Sequence, residues 1–337
     1  MTQLEKTQPA SVIEAPRRTL DLRAVSQSRP WLPALVTAVI LLVVGQVLSS
    51  GFASWNGLNQ VLAAAAILAI ASCGQTLVMI SGDYGIDLSV GQVMSLTAIA
   101  GYMSMKGGSD YLAVGLLVAV LVGGLLGALS GVLVSLDSVA CVGSHARHDG
   151  RRARHPDGSR VKRNSRRISA PTAQQADNVQ RAGHQVGHAA RGGIRRRDDA
   201  ADCRTRFGRM LYFVGSNREA ARLSGLPVRS IVLLTFVIAG VCSGFAGLLL
   251  LSYAGQANLD LGSGYLVLSI AATVIGGTSL AGGEGSISGA ATGAIAFIVI
   301  NTLMLTLGVS DALRQAVVGL LLLVLLGFNA RTPRLRQ

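Results

Sequence analysis

Between Pro30 and Met105 there is no lysine or arginine, and the only acidic side chains in that run are Asp83 and Asp87. Charged residues make up 14% of the chain and aromatics 4%, against 50% apolar. So little charge excludes an ordinary soluble domain and indicates a polytopic membrane protein. Cysteine is scarce too. Of the four, Cys73 and Cys242 fall in apolar runs while Cys141 and Cys203 lie apart, which excludes a disulfide framework. The set Cys141, His145, His148 and His155 matches no familiar zinc spacing, so no metal is expected.

A hydrocarbon core of about 30 Å requires roughly 20 apolar residues per helix. Spans are expected near Trp31 to Val47, Val61 to Ile80, Ile86 to Met105 and Tyr111 to Leu136. A second group covers Ile231 to Leu251, Tyr265 to Leu280, Ile287 to Leu307 and Leu313 to Phe328. The fold class is therefore all-α, a transmembrane helix bundle of about eight spans. The thirty polar residues before the first run are too long for an ordinary cleaved signal, so that run reads as the first span.

Basic residues gather at three places outside the spans: Arg17 to Arg29, Arg204 to Arg229, and Arg331 to Arg336. The positive-inside rule puts all three in the cytoplasm. Four spans separate each neighbouring pair, so the topology closes. The loops 50–59 and 252–264 carry no basic residue and belong outside.

Three strings carry the chemistry. The first is Gly85-Ile86-Asp87-Leu88-Ser89-Val90-Gly91, entered through Ser81-Gly82-Asp83-Tyr84. A carboxylate in a long uncharged run is costly in lipid and faces a protein interior or aqueous path. Gly85 and Gly91 permit the break in a helix that transporters use. In the alternative, Asp87 simply caps the next helix.

The second string runs from Ile275 to Gly289 and holds Gly276, Gly277, Gly283 and Gly285. It has no lysine and so cannot be a P-loop, which needs Gly-Lys-Ser/Thr. ATPase chemistry is therefore not expected here. A tight re-entrant turn is, with plain helix packing as the alternative. Asn301, polar within an apolar run, joins Asp87 and Ser89 as a candidate pathway residue.

The third string, Thr205 to Val228, is basic and helix-prone; Glu219, Ala220 and Ala221 form a short helix stopped by Gly225 and Pro227. Such a loop helix suits docking in a groove of a soluble partner. An amphipathic helix lying on anionic headgroups is the alternative.

In this order the three strings resemble the permease subunit of bacterial ABC importers for monosaccharides of the ribose, xylose and galactose type. The resemblance covers Phe52 to Val134 and Thr205 to Arg331. It implies about ten spans and a coupling helix formed by Asn217, Glu219, Ala220, Ala221 and Gly225. It also implies no catalytic residue and no cofactor on this chain, with ATP and magnesium held by a separate ATP-binding subunit. The implied partners are that subunit, a periplasmic sugar-binding protein, a second permease copy, a neutral sugar and inner-membrane lipid.

The implied organisation is a cytoplasmic tail (1–30), an N-terminal bundle (31–136), an anomalous basic segment (137–203), a coupling loop (204–230), a C-terminal bundle (231–330) and a short tail (331–337). The anomalous segment departs from the family. Ser138 to Cys203 contains all five histidines, many arginines and no aromatic residue. Much of the net charge of +13 lies there. Basic residues without aromatics argue against single-stranded nucleic-acid binding.

The family continues from Gly131-Val132-Leu133-Val134 into further apolar helices, yet the total length here is normal for it. Out-of-frame translation accounts for both facts, with the frame recovered before Thr205. Gly143 to Gly158 reads GSHARHDGRRARHPDG. One permitted set of codons, read one nucleotide later, gives VATLGMMGVARGILMA, which resembles the family's threonine-leucine-glycine helix. A real basic, disordered loop is the alternative.

Overall fold

The computed structural model describes residues 31–83, 85–105, 111–148 and 205–330. Ten helices are described: α1 (Trp31–Leu48), α2 (Trp55–Ile80), α3 (Val90–Ser104), α4 (Leu112–His148), α5 (Arg206–Ser216), α6 (Arg218–Leu223), α7 (Val228–Ala254), α8 (Tyr265–Ile275), α9 (Ile287–Thr306) and α10 (Asp311–Ala330). No strand occurs among the described residues. All eight expected apolar segments are helical, and the protein is an all-α membrane bundle.

The boundaries differ where side chains or glycines intervene. Helix α2 starts at Trp55, ahead of the expected Val61, because Ser54 Oγ accepts from Gly57 N at 3.3 Å and caps it. Helix α3 starts at Val90 instead of Ile86, because residues 85–87 are non-helical. Helix α8 ends at Ile275, short of Leu280, where Gly277 takes φ +86°. Helix α4 continues past Leu136 to His148; the next proline in the chain is Pro156.

Among the described residues five helices are long and apolar enough to cross a membrane: α1, α2, α4 over Leu112–Ser135, α7 and α9. Helices α3 and α8, of 15 and 11 residues, rise only about 22 and 17 Å, less than the ~30 Å core. Burial sets the layering. The apolar windows of α2, α7 and α9 are 56%, 61% and 50% buried, those of α1 and α4 only 17% and 22%. The first three form the centre, and the other two show most of their surface outward, where lipid is as good a neighbour as protein.

Close helix approach depends on small residues. A Cβ on Gly123 would stand 2.4 Å from Gly240 O, and one on Gly127 2.3 Å from Phe236 O. These positions form the seam between α4 and α7. Helices α2 and α7 run antiparallel. Leu77, Val78 and Ile80 cluster with Ile231 and Val232 at one end, and Ile67 meets Leu250 toward the other. The first end carries Arg206, Arg209, Arg218, Arg222 and Arg229, the end that the positive-inside rule would place in the cytoplasm.

Each of these central helices leads through a non-helical stretch into one of the short helices. The two stretches share a pattern, Asp87-Leu88-Ser89-Val90-Gly91 and Asp260-Leu261-Gly262-Ser263-Gly264. They touch: Gly262 N donates to Ser95 Oγ at 2.9 Å, and a Cβ on Gly91 would lie 2.5 Å from Gly262 O.

Candidate coupling site and helix break

Thr205 Oγ1 accepts from Gly208 N at 2.9 Å and starts α5. Helical spacing then puts Phe207, Leu211 and Val214 on one face. Leu211, Tyr212 and Val214 are buried against Leu77, Val78 and Ile80 of α2 and Ile231, Val232 and Phe236 of α7. Each such burial removes about 1.5–3 kcal/mol worth of apolar surface from water. The apolar face of this loop therefore packs on protein, which displaces the headgroup alternative for α5. Tyr212 Oη also donates to Gly285 O at 2.7 Å, joining the third string to the second.

After α5 the chain turns sharply. Asn217 Oδ1 accepts from Ala220 N at 2.9 Å and caps α6. Glu219 stands in its first turn and Arg222 in its last, the arrangement the helix dipole favours. Ala221 is fully buried. Gly225 takes φ +79°, and Gly225 N and Leu226 N donate to Arg222 O and Ala221 O at 3.0 and 3.1 Å. A left-handed glycine with such bonds is a common helix stop. The helix tip presents Leu223, 78% exposed.

The three strings meet at backbone contact. Gly283 N donates to Ile80 O at 3.0 Å. A Cβ on Gly215 would lie 1.7 Å from that same carbonyl, so only glycine fits between α5 and the end of α2. A Cβ on Gly282 would lie 2.3 Å from Gly82 Cα. Gly82, Gly215 and Gly282 thus form a single junction at the cytoplasmic end.

From this junction the chain runs back toward the middle of α2, out of helical geometry. Buried backbone without partners is not tolerated in lipid. Gln75, on α2 and fully buried, meets this need: with its amide oriented to satisfy both groups, it donates to Asp87 O and accepts from Asp87 N, each at 3.2 Å. Asp87 itself is 3% exposed. Its Oδ1 accepts from Ser89 N at 2.8 Å and Ser89 Oγ at 2.6 Å, while Oδ2 is buried with no hydrogen-bond partner among the described residues. Asp87 is thus a buried acidic group that holds Ser89 just ahead of α3, while the helix start itself has no side-chain cap bond. Asp260, at the matching position, is exposed.

Beside the break lies a buried polar seam between α2 and α8. Thr76 Oγ1 and Thr273 Oγ1 both reach Ser72 O, at 2.7 and 3.3 Å. Gly85, Gly91, Gly276, Gly277, Gly283 and Gly285 all line the break, the α8–α9 turn or their contacts. Asn301 does not join them. It is half-buried on α9, about 12 Å further along that helix than Gly293, which meets α8.

Among the described residues no group of three His, Cys, Asp or Glu gathers as for a metal. The Cys141, His145, His148 and His155 side chains, and residues 149–204 of the basic segment and the start of the coupling loop, lie outside what is described. Gln75, Gly82, Gly215, Arg218 and Leu223 were not singled out from the sequence. A glutamine twelve residues before Asp87, in the uncharged run 61–80, was the available signal for Gln75. If Gln75 serves the break, Gln75→Leu leaves two buried backbone groups unpaired, about 1–3 kcal/mol each. Thermal unfolding in detergent is expected to show that loss, and an unchanged midpoint would contradict the assignment.

Comparison with known proteins agrees with this geometry. Residues 203–326 match the family model described as branched-chain amino acid transport system / permease component. A probable ABC transporter permease protein of Sinorhizobium fredii is 33% identical over 86% of this chain and 86% of its own length. The chain belongs to the family of ABC-transporter permease subunits. A ribose import permease protein of Haemophilus influenzae is 30% identical over 86% of this chain and 90% of that protein. A xylose transport system permease protein of Escherichia coli K12 is 41% identical over 39% of this chain and 33% of that protein. No solved structure matches the chain significantly. As a permease subunit it is a multi-pass membrane transporter component and not an enzyme.

Proposed function

We propose that this chain is the pathway-forming subunit of an ATP-driven importer of a neutral monosaccharide in the bacterial inner membrane. A separate subunit hydrolyses ATP with magnesium, and a periplasmic protein delivers the sugar. Two copies pair around the pathway within the lipid. The carrying observation is the junction of Gly82, Gly215 and Gly282, which puts the α5–α6 loop in backbone contact with both glycine-rich strings. Force applied at α6 by a soluble motor would reach the break and the α8–α9 turn directly. Asn217, Glu219, Ala220, Ala221 and Gly225 make the docking helix, with Leu223 at its tip. Gly85, Asp87, Ser89, Gly91, Gly276, Gly277, Gly283, Gly285 and Asn301 are assigned to the break and pathway. The sparse charge in the spans favours a neutral solute, and the ribose and xylose relatives favour a sugar.

A proton-coupled carrier is the competing reading, favoured by the unpartnered Oδ2 of buried Asp87. Uptake by the assembled importer decides between them. Loss on ATP depletion supports the importer. Uptake that persists without ATP and collapses with the proton gradient supports the carrier.

The basic segment is proposed to be out-of-frame translation. The Haemophilus relative aligns over 90% of its length to a chain of similar span, which favours substituted content over an inserted domain. Sequencing the gene tests this. A compensating pair of indels flanking codons 138 and 203 is expected, and an uninterrupted frame in independent reads would refute it.

A further inference from the structure

Helix α6 meets the bundle at buried Ala221 and through a long side chain, Arg218. Its Nη1 pairs with Asp83 Oδ2 at 2.7 Å. Its Nε and Nη2 donate to Ser81 O at 3.4 and 3.3 Å, and Nη2 also reaches Gly82 O at 3.4 Å. One guanidinium therefore holds three successive residues of the turn that opens the break. The carboxylate is 66% exposed, and ion pairs so open to water add little stability. The pair's value lies in its geometry.

Asp83 sits at φ +55°, the only non-glycine with positive φ among the described residues. Aspartate is one of the few residues that tolerate this conformation. The turn thus keeps a carboxylate in the position where glycine would be the easier choice. Beyond it, residues 85–87 are non-helical and end at Asp87, whose carboxylate holds Ser89 at the start of α3. Among the described residues between Arg218's grip and Asp87 there is no helix to absorb a displacement.

We infer that Asp83 and Arg218 form a strap through which movement of the docking helix pulls the buried break, making them positioning residues for transport. This rests on the coupling role proposed for α6. The strap and the docking surface are separate, because Arg218 points inward to Ser81–Asp83 while Glu219 and Leu223 face outward.

Leu88 lies on the break and is 67% exposed, so a cysteine there reports its position without touching the Asp87 bonds. The test uses Leu88→Cys in the full chain with the four native cysteines replaced by alanine, bound to its ATP-binding subunit. N-ethylmaleimide labelling is timed with and without ATP and vanadate, and docking is measured on the same samples by co-purification. In the parent, nucleotide is expected to change the labelling rate at least about fivefold, the lower end of ordinary coupling. Asp83→Asn, which keeps shape and tolerates the same backbone, and Arg218→Gln are expected to abolish the change while docking persists. Asp83→Glu, which keeps the charge but fits the left-handed backbone less well, is expected to recover only part of it. A full response in Asp83→Asn overturns the strap. So does a parent that docks yet shows no response. A parent that fails to dock removes the coupling role of α6 and the strap together.

Discussion

Gly225→Trp is expected to weaken binding of the ATP-binding subunit by more than about 30-fold, or about 2 kcal/mol, the scale of an interface hot spot. Membrane insertion should be unaffected, since Gly225 lies outside the apolar spans, ahead of α7. Two effects are combined in this substitution, and they separate cleanly. Gly225 occupies φ +79°, yet a Cβ there would meet nothing within 4 Å. The backbone cost of a side chain is therefore conformational, about 1–2 kcal/mol for an ordinary L-residue. The rest of the effect is bulk placed beside the docking helix, where a groove has to close around Glu219 and Leu223. Gly225→Asn is the control, because asparagine tolerates the left-handed region. It should retain most of the binding. Equal losses in Asn and Trp would assign the effect to the turn, and no loss in Trp would remove α6 as the docking element. Co-purification from membranes measures both.

The second large effect concerns the chain as it stands. If Ser138 to Cys203 is out of frame, as proposed, two membrane helices that the family resemblance implies there are lost, and the bundle loses the neighbours that those helices would supply. Apolar helix faces can meet lipid without penalty, but polar pathway groups cannot. ATP-driven sugar uptake in proteoliposomes is accordingly expected at background level. Restoring the frame across codons 138 to 203 is expected to raise it clearly above background with the same partners. Docking, by contrast, needs only α5 and α6, both fully formed on α2 and α7. The chain as it stands should bind its ATP-binding subunit and fail to transport. Robust uptake by the unrestored chain would show that the basic segment is a genuine part of the protein.

Much of this was legible in the residues. Long uncharged runs announced the helices, because only helices and closed barrels satisfy a backbone in lipid, and runs of roughly 20 apolar residues fit a helix and not a barrel strand. Glu219, Ala220 and Ala221 followed by Gly225 and Pro227 marked the short helix α6, since left-handed termination is local chemistry. Helix ends at α3 and α8 were less legible. Hydropathy alone does not distinguish a helix from an extended stretch buried beside a glutamine, so Ile86 looked helical until Gln75 was seen holding Asp87. The junction was less legible still. Gly82, Gly215 and Gly282 are far apart in sequence, and their meeting depends on how α2, α5 and the α8–α9 turn pack. Arg218 read as one more cytoplasmic cation, because nothing in its neighbourhood of sequence names Asp83.

The claim at the centre is that a soluble motor grips this membrane bundle at α6 from the cytoplasm. Leu223 is the place to ask, being the exposed tip of that helix. A photo-reactive amino acid installed there, irradiated in membranes that contain the ATP-binding subunit, is predicted to give a covalent adduct to that subunit. Absence of the adduct, or modification of position 223 by a membrane-impermeant reagent added from the periplasmic side, would contradict the account.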